Sequence, residues 1–298
     1  MPLSIRQVHK LFVGEVSGVD MRTPPDAALM RDIVEAADRY AVLIFPGQTI
    51  TDEQHVAFTR PFGRLETTIK AYRPGFKGRL DPHVADISNL DENSNILSSD
   101  DRRRMSSLGN RQWHTDYTFK EAAGMYSFLH ARIIPSEDGE TKFADMRAAY
   151  DALPDRMKSR LEGLVAEHSL LYSRGLIGFT DFSPEEKTRL GSAPQLVVRV
   201  HPGSGRKTLY LAAHAMMIHG MAVPEGRILL RDLMEHATQP AFVYTHKWTP
   251  GDMVMWDNRC TMHRACEYDP TEVRELHRTT VMEESSTLAQ AGLSRQVA

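Results

Sequence analysis

Trp113-His114-Thr115-Asp116 and, far downstream, Asp257-Asn258-Arg259-Cys260-Thr261-Met262-His263 are the stretches on which this chain turns. A His and an Asp separated by one residue, joined by a distant His, supply the ligands of a 2-His-1-carboxylate triad. Such a triad occupies one face of an octahedral Fe(II) ion and leaves the opposite positions open for chemistry. His114, Asp116 and His263 are therefore the candidate metal ligands and catalytic residues, and the chain must fold back on itself to unite them. His-x-Asp alone is a weak pattern, and the same three residues would also suit a zinc hydrolase, since zinc would keep an open fourth position.

The residues beyond His263 add weight. Arg274-Glu275-Leu276-His277-Arg278-Thr279-Thr280-Val281 has the composition of a strand, and its period of two puts Arg274, Leu276 and Arg278 on one face. Two guanidiniums on one face near a metal suit two anions, because Arg pairs bidentately with carboxylates. The competing reading is a solvated charged strand with Glu275 balancing Arg274.

The series His114-x-Asp116, Thr141, His263, Arg274, Arg278 resembles the taurine dioxygenase family of Fe(II)/2-oxoglutarate-dependent oxygenases, in residue type and in spacing. The similarity runs from about Leu11 to Glu283. It implies a double-stranded β-helix, or jelly roll, mainly β with packed helices, in a single domain over residues 1–298. It also implies Fe(II), 2-oxoglutarate and O2, with ascorbate as support in vitro. Thr141 and Arg274 occupy the positions that bind the far carboxylate of 2-oxoglutarate, and Arg278 a position that often meets the acid group of the substrate. Phe143–Pro154, His201–Lys207 and Gly251–Cys260 resemble most the aryloxyalkanoate branch, of the 2,4-dichlorophenoxyacetate type. The implied reaction splits the ether of an aryloxyalkanoic acid into a phenol and an oxo acid while 2-oxoglutarate becomes succinate and CO2. A sulfonate or alkyl sulfate dioxygenase of the same family is the alternative. A non-catalytic jelly-roll protein that binds an acid is another. Thr141 and Arg274 argue against the hydrolase, which needs no 2-oxo acid anchor.

Further candidates come from the same resemblance. Lys70, Asn110 and His201 fall near substrate-contact positions, and His214 where the branch carries a pocket His. Met217 stands where the branch tends to place another His, which leaves the polar end of the pocket open. Each of these residues also has an ordinary structural or solvated role available. Trp113 and Trp256 flank the ligand segments and read first as core, with Trp256 also a candidate lining of the oxygen side. Cys260-x-x-His263-x-x-Cys266 invites zinc, but on a strand the cysteines would point away from His263.

The net charge of −3 and pI near 6.5 exclude bulk attraction to nucleic acid or anionic membrane. An acidic substrate must therefore meet local basic residues. The expected partner is a small anionic aromatic molecule, with no nucleic acid, no membrane and a homo-oligomeric assembly. Two cysteines make no disulfide framework, and neither an N-terminal apolar run nor a spanning segment is present, so a cytoplasmic protein is expected.

Along the chain, Asp26–Tyr40 reads as an amphipathic helix, Ala41–Phe45 as a buried strand, and Thr51–Gln54 as a capping box. Strands are expected at Met125–Ile134, Gln195–Val200, Lys207–Ala212, Ala241–Trp248, Met253–Trp256, Arg259–Arg264 and Arg274–Met282. Helices are expected at Asp145–Leu164 and Pro224–His236. Residues 88–112 and 173–194 read as long loops and candidate lids, and 285–298 as a frayed tail.

Overall fold

Alternation in the central strands decides the architecture. In Val42–Phe45, Leu43 and Phe45 face one way and Val42 and Ile44 the other, and all four are buried. The same division runs through Met253–Asp257, where Met253 and Met255 oppose Val254 and Trp256. A strand buried on both faces needs cover on both. The helices Ala27–Tyr40 and Asp52–Thr59 lie over one face, and a second sheet lies over the other. Asp26 caps the first helix, and the Thr51–Gln54 capping box opens the second.

This computed structural model describes residues 3–67 and 79–293. The larger sheet has seven strands in the spatial order Ser4–Gln7, Gly14–Ser17, Val42–Phe45, Met253–Asp257, Gly124–Ile133, Glu275–Met282, Ala85–Ser88. Only the pairing of Gly14–Ser17 with Val42–Phe45 is parallel among its ladders. The facing sheet sets Thr141–Asp145 between Val243–His246 and Thr261–Ala265. Phe143 from this sheet packs with Val254, Trp256, Leu129 and Leu276 of the larger one, so the two share an apolar layer. Behind the smaller sheet, Ala144 and Met262 join a third layer with the helix Val223–Ala237, whose Leu229, Leu230 and Leu233 point inward.

Several expectations are corrected. Gln195–Val200 is two strands, Ala193–Leu196 and Val198–Val200, which belong to different small sheets and separate at Val197. The stretch 173–194 is not mostly irregular: the end of Leu170–Leu176 and all of Pro184–Leu190 are helical, the latter opened by a Ser183–Glu186 capping box. Residues 88–112 likewise hold the helix Arg102–Ser107 and a 3-10 turn over Leu108–Arg111. The tail does not fray at 285. Thr287–Gln290 is a helix whose Leu288 is buried, and the Thr287 hydroxyl donates to Gln195 Oε1 at 2.8 Å. Arg199 fixes the same end by pairing with Glu283 and Gln290.

Candidate metal centre and its pocket

His263 lies on Thr261–Ala265, at the edge of the smaller sheet, and His114 comes from the segment beside it. Each backbone N–H donates to the other residue's carbonyl, at 2.8 and 3.0 Å, so an isolated antiparallel bridge joins two ligands distant in sequence. Asp116 comes two residues later, and Tyr117, at φ 58°, turns the chain immediately after it. A non-glycine residue at positive φ is uncommon and marks a conformation imposed by its surroundings.

The ligand atoms of His114, Asp116 and His263 lie within 4.8 Å of one another, and all three residues are buried. The Nε2 atoms of His114 and His263 face the Asp116 carboxylate at 3.9 and 3.8 Å. His114 Nδ1 donates to the Gln112 carbonyl at 2.8 Å, which fixes the tautomer and leaves Nε2 free to ligate. Burial lowers the pKa of His114 to about 4 and that of His263 well below the usual range, so both rings are neutral at pH 7. Burial alone would raise Asp116, but Arg278 and the two histidines outweigh it and bring the carboxyl to about 2. Two neutral imidazoles and one carboxylate, grouped with open space beside them, fit an Fe(II) ion.

A relay holds the carboxylate. Asn258 Oδ1 accepts from the Asp116 N–H at 3.1 Å and from Trp256 Nε1 at 3.0 Å. Asn258 Nδ2 donates to Ser127 Oγ at 2.9 Å, and Ser127 donates to Asp116 Oδ2 at 2.7 Å. Sequence reasoning did not single out Asn258, Ser127 or Gln112. Asn258, inside the quoted Asp257–His263 stretch, was the one with a visible signal. The indole of Trp256 packs 4.6 Å from the His263 ring but does not line the cavity.

Two of the three ligands, His114 and Asp116, border a cavity of about 410 Å³, within the range that buries a small organic ligand. One wall is apolar: Tyr117, Phe119, Leu170, Phe182 and Leu190. Of the arginines that line it, three bear on the chemistry: Arg278, Arg274 and Arg174. Arg278 donates to Asp116 Oδ1 at 2.6 Å, and that neighbour raises its pKa although burial opposes it. Arg274 is 4% exposed and donates to the Gly139 carbonyl at 3.0 Å. Gly139 has φ +75°, and a Cβ there would press on Arg274 Nε at 3.3 Å. Glu275 does not balance Arg274; it pairs with Arg79 and His277. The third, Arg174, was not anticipated from sequence.

The remaining candidates divide. Asn110 and His214 line the cavity; the His214 ring stands 6.0 Å from that of His114, and its Nδ1 bonds Ser173 Oγ at 2.8 Å. Thr141 lies on the strand next to His263, and its Oγ1 accepts from Trp248 Nε1 at 3.0 Å, but it does not border the cavity. Met217 does not line it either. His201 is a correction: it is 0% exposed, held between Ser204 Oγ and Asp257 Oδ2 at 2.9 Å each, and outside the pocket. Asp257 alternates with Trp256 along the strand and so turns to the opposite face, taking His201 with it. Among the described residues Cys260 groups with His201 and Asp257, not with His263, so the Cys-His-Cys zinc pattern does not form. Asp257 there already chelates Arg259 through both oxygens. Lys70 lies outside the described residues.

Residues 4–280 match the family described as taurine catabolism dioxygenase TauD, TfdA family. The chain belongs to this family. It is an Fe(II)/2-oxoglutarate-dependent dioxygenase that uses O2. The chain is 43% identical over 295 residues to an alpha-ketoglutarate-dependent 2,4-dichlorophenoxyacetate dioxygenase of Burkholderia sp. (strain RASC), covering 99% of both. It is 37% identical to an (S)-phenoxypropionate/alpha-ketoglutarate-dioxygenase of Sphingobium herbicidovorans, covering 91% of both. The crystal structure of AAD-2 in complex with Mn(II) and N-oxalylglycine superposes with a TM-score of 0.89 at 47% identity, covering 96% of this chain and 99% of that one. No helix among the described residues is long and apolar enough to cross a membrane.

Proposed function

We propose that this dioxygenase cleaves the ether of a small aryloxyalkanoic acid. The observation that carries the reading is the pocket itself, in which His114 and Asp116 of the triad, an aromatic and leucine wall and guanidiniums share one cavity. An apolar wall suits an aryl ring, and a buried cation suits a carboxylate. A sheet packed face to face on another, with the site at its edge, supports a single jelly-roll domain. Two free thiols and a cosubstrate drawn from central metabolism support a cytoplasmic enzyme.

His114, Asp116 and His263 hold the metal, with Gln112 and the Asn258–Ser127 relay keeping the ligands in place. The iron, 2-oxoglutarate and O2 together supply the oxidant. Arg274 takes the far carboxylate of 2-oxoglutarate, and the Thr141 hydroxyl keeps a proton to donate to it. Tyr117, Phe119 and Leu170 hold the aryl ring, while Arg278, Asn110 and His214 face the acid group. This positioning exposes the carbon beside the ether oxygen. One oxygen atom enters its C–H bond, and the other enters succinate as 2-oxoglutarate breaks its C1–C2 bond and loses CO2. The resulting hemiacetal breaks its C–O bond, so that the phenol leaves with the hydroxyl proton and an oxo acid remains.

The test is a panel of phenoxyacetates and phenoxypropionates beside taurine and an alkyl sulfate, with released phenol and succinate measured. Phenol in step with succinate from the aryloxy acids is the expected result. A clear preference for taurine or the sulfate would overturn the substrate assignment and leave the iron site standing.

A further inference from the structure

Among the described residues, Arg174 is the one buried cation of the pocket to which the proposed reaction gives no task. It projects from the helix Leu170–Leu176 and is 9% exposed. Its Nη2 donates to Asn110 Oδ1 at 3.1 Å, its Nε has no partner among the described residues, and no ion pair to it is found there. The guanidinium lies against Gly109, where a methyl group would overlap Nη1, Cζ and Nε. Burial lowers its pKa to about 10, so it is charged at pH 7. It borders the cavity together with His114, Asn110 and His214, and those two imidazoles are neutral.

This arrangement is costly for a folded protein. An uncompensated buried charge is strongly unfavourable, and a structural arginine at this depth ordinarily has a carboxylate. Arg174 is instead held by a neutral amide and a bare glycine. Its positive field falls on the part of the cavity beside the triad. Arg278 is placed differently, since its charge already meets Asp116 at 2.6 Å. Arg274 serves the end marked by Gly139 and Tyr268.

We infer that Arg174 is the principal counter-ion for the acid group of the substrate, oriented by Gly109 and Asn110. Arg278 then acts as the secondary contact, steering the acid toward the metal. This rests on the proposed function only in taking the substrate to be a small organic acid. It also gives the two chain segments around the pocket a joint purpose, because Gly109 and Asn110 come from one and Arg174 from the other.

The decisive comparison uses a charged ligand and its neutral isostere. Dissociation constants of phenoxyacetate and phenoxyacetamide are measured without oxygen in protein loaded with Fe(II) and 2-oxoglutarate. Arg174→Met keeps the side-chain length and removes the charge. It should weaken phenoxyacetate by about 30-fold or more and leave the amide and 2-oxoglutarate within a few-fold. Its melting temperature should not fall, because a buried unpaired charge has been removed. Gly109→Ala keeps the charge but displaces it, and should weaken the acid by about tenfold or more with the same selectivity. Arg174→Lys should restore part of the acid binding. Equal losses for acid and amide, or no loss for either, would overturn the inference. If the wild-type protein accepts taurine or an alkyl sulfate instead of an aryloxy acid, the substrate assignment alone has failed. The same variants are then compared on that acid and a neutral analogue, with the same outcomes deciding.

Discussion

Two sets of buried arginines in this molecule behave in opposite ways. In the scaffold, Arg147 pairs with Asp145, Arg199 with Glu283 and Arg259 with Asp257, each donating to both carboxylate oxygens. Their pKa values are raised against burial, by the paired carboxylate for Arg199 and Arg259 and by Cys260 together with Asp145 for Arg147. In the pocket, Arg174 and Arg274 have only neutral oxygens to bond, and burial lowers both to about 10. Arg278 stands between the sets, since its carboxylate is itself a metal ligand. A protein that pairs its structural cations so completely and leaves two others unpaired at a cavity has prepared those two for anions from outside.

The largest effects belong to the triad that the pocket cations serve. His114→Ala, Asp116→Ala and His263→Ala should each abolish Fe(II) binding and turnover while circular dichroism reports an intact fold. Full activity in any one of them would remove that residue from the metal site.

The two arginine sets should then separate by what their loss damages. Arg199→Ala strands the Glu283 carboxylate in the interior and should cost about 3–5 kcal/mol of stability. Arg274→Ala should leave stability nearly unchanged and raise the 2-oxoglutarate KM by roughly 30-fold to several thousand-fold. Chemical denaturation of both variants beside 2-oxoglutarate titrations checks this. An unaltered 2-oxoglutarate KM would return Arg274 to the scaffold set.

Arg278→Ala should raise the KM of the aryloxy acid and spare that of 2-oxoglutarate. A loosened substrate should also uncouple the reaction, so that succinate exceeds phenol. Arg278→Lys should recover only part, since an ammonium lacks the guanidinium fork. Tight coupling in Arg278→Ala would leave Asp116 as its sole duty.

The smallest effect is one of pH. Burial holds His55 and His168 neutral with pKa values near 3, far below the usual value near 6.5. Between these limits the unfolded chain binds the protons and the folded one does not. Stability should therefore fall as pH drops below about 6.5, each ring contributing roughly 1–3 kcal/mol by pH 4.5. Melting curves from pH 7 to 4 read this directly, and a flat profile would mean that the two rings charge in place.

The grouping of the triad, the main strands and the helix over Val223–Ala237 were legible in the order of amino acids, and Arg274 and Arg278 reach the cavity while Thr141 does not. These signals are local in pattern: ligand chemistry at fixed spacing, and period two or 3.6 in apolar residues. Which histidine faces the pocket was settled only by folding. His201 and His214 look alike in the chain, yet one is locked by Asp257 on the far side of a strand and the other opens beside His114. Folding also singles out Arg174, which in sequence is an ordinary basic residue near the end of a short helix. Its role arises because Gly109 and Asn110, from a polar stretch with no apolar period, fold against it and remove it from water. Burial without a partner is a property of several segments together, and no single window of sequence carries it.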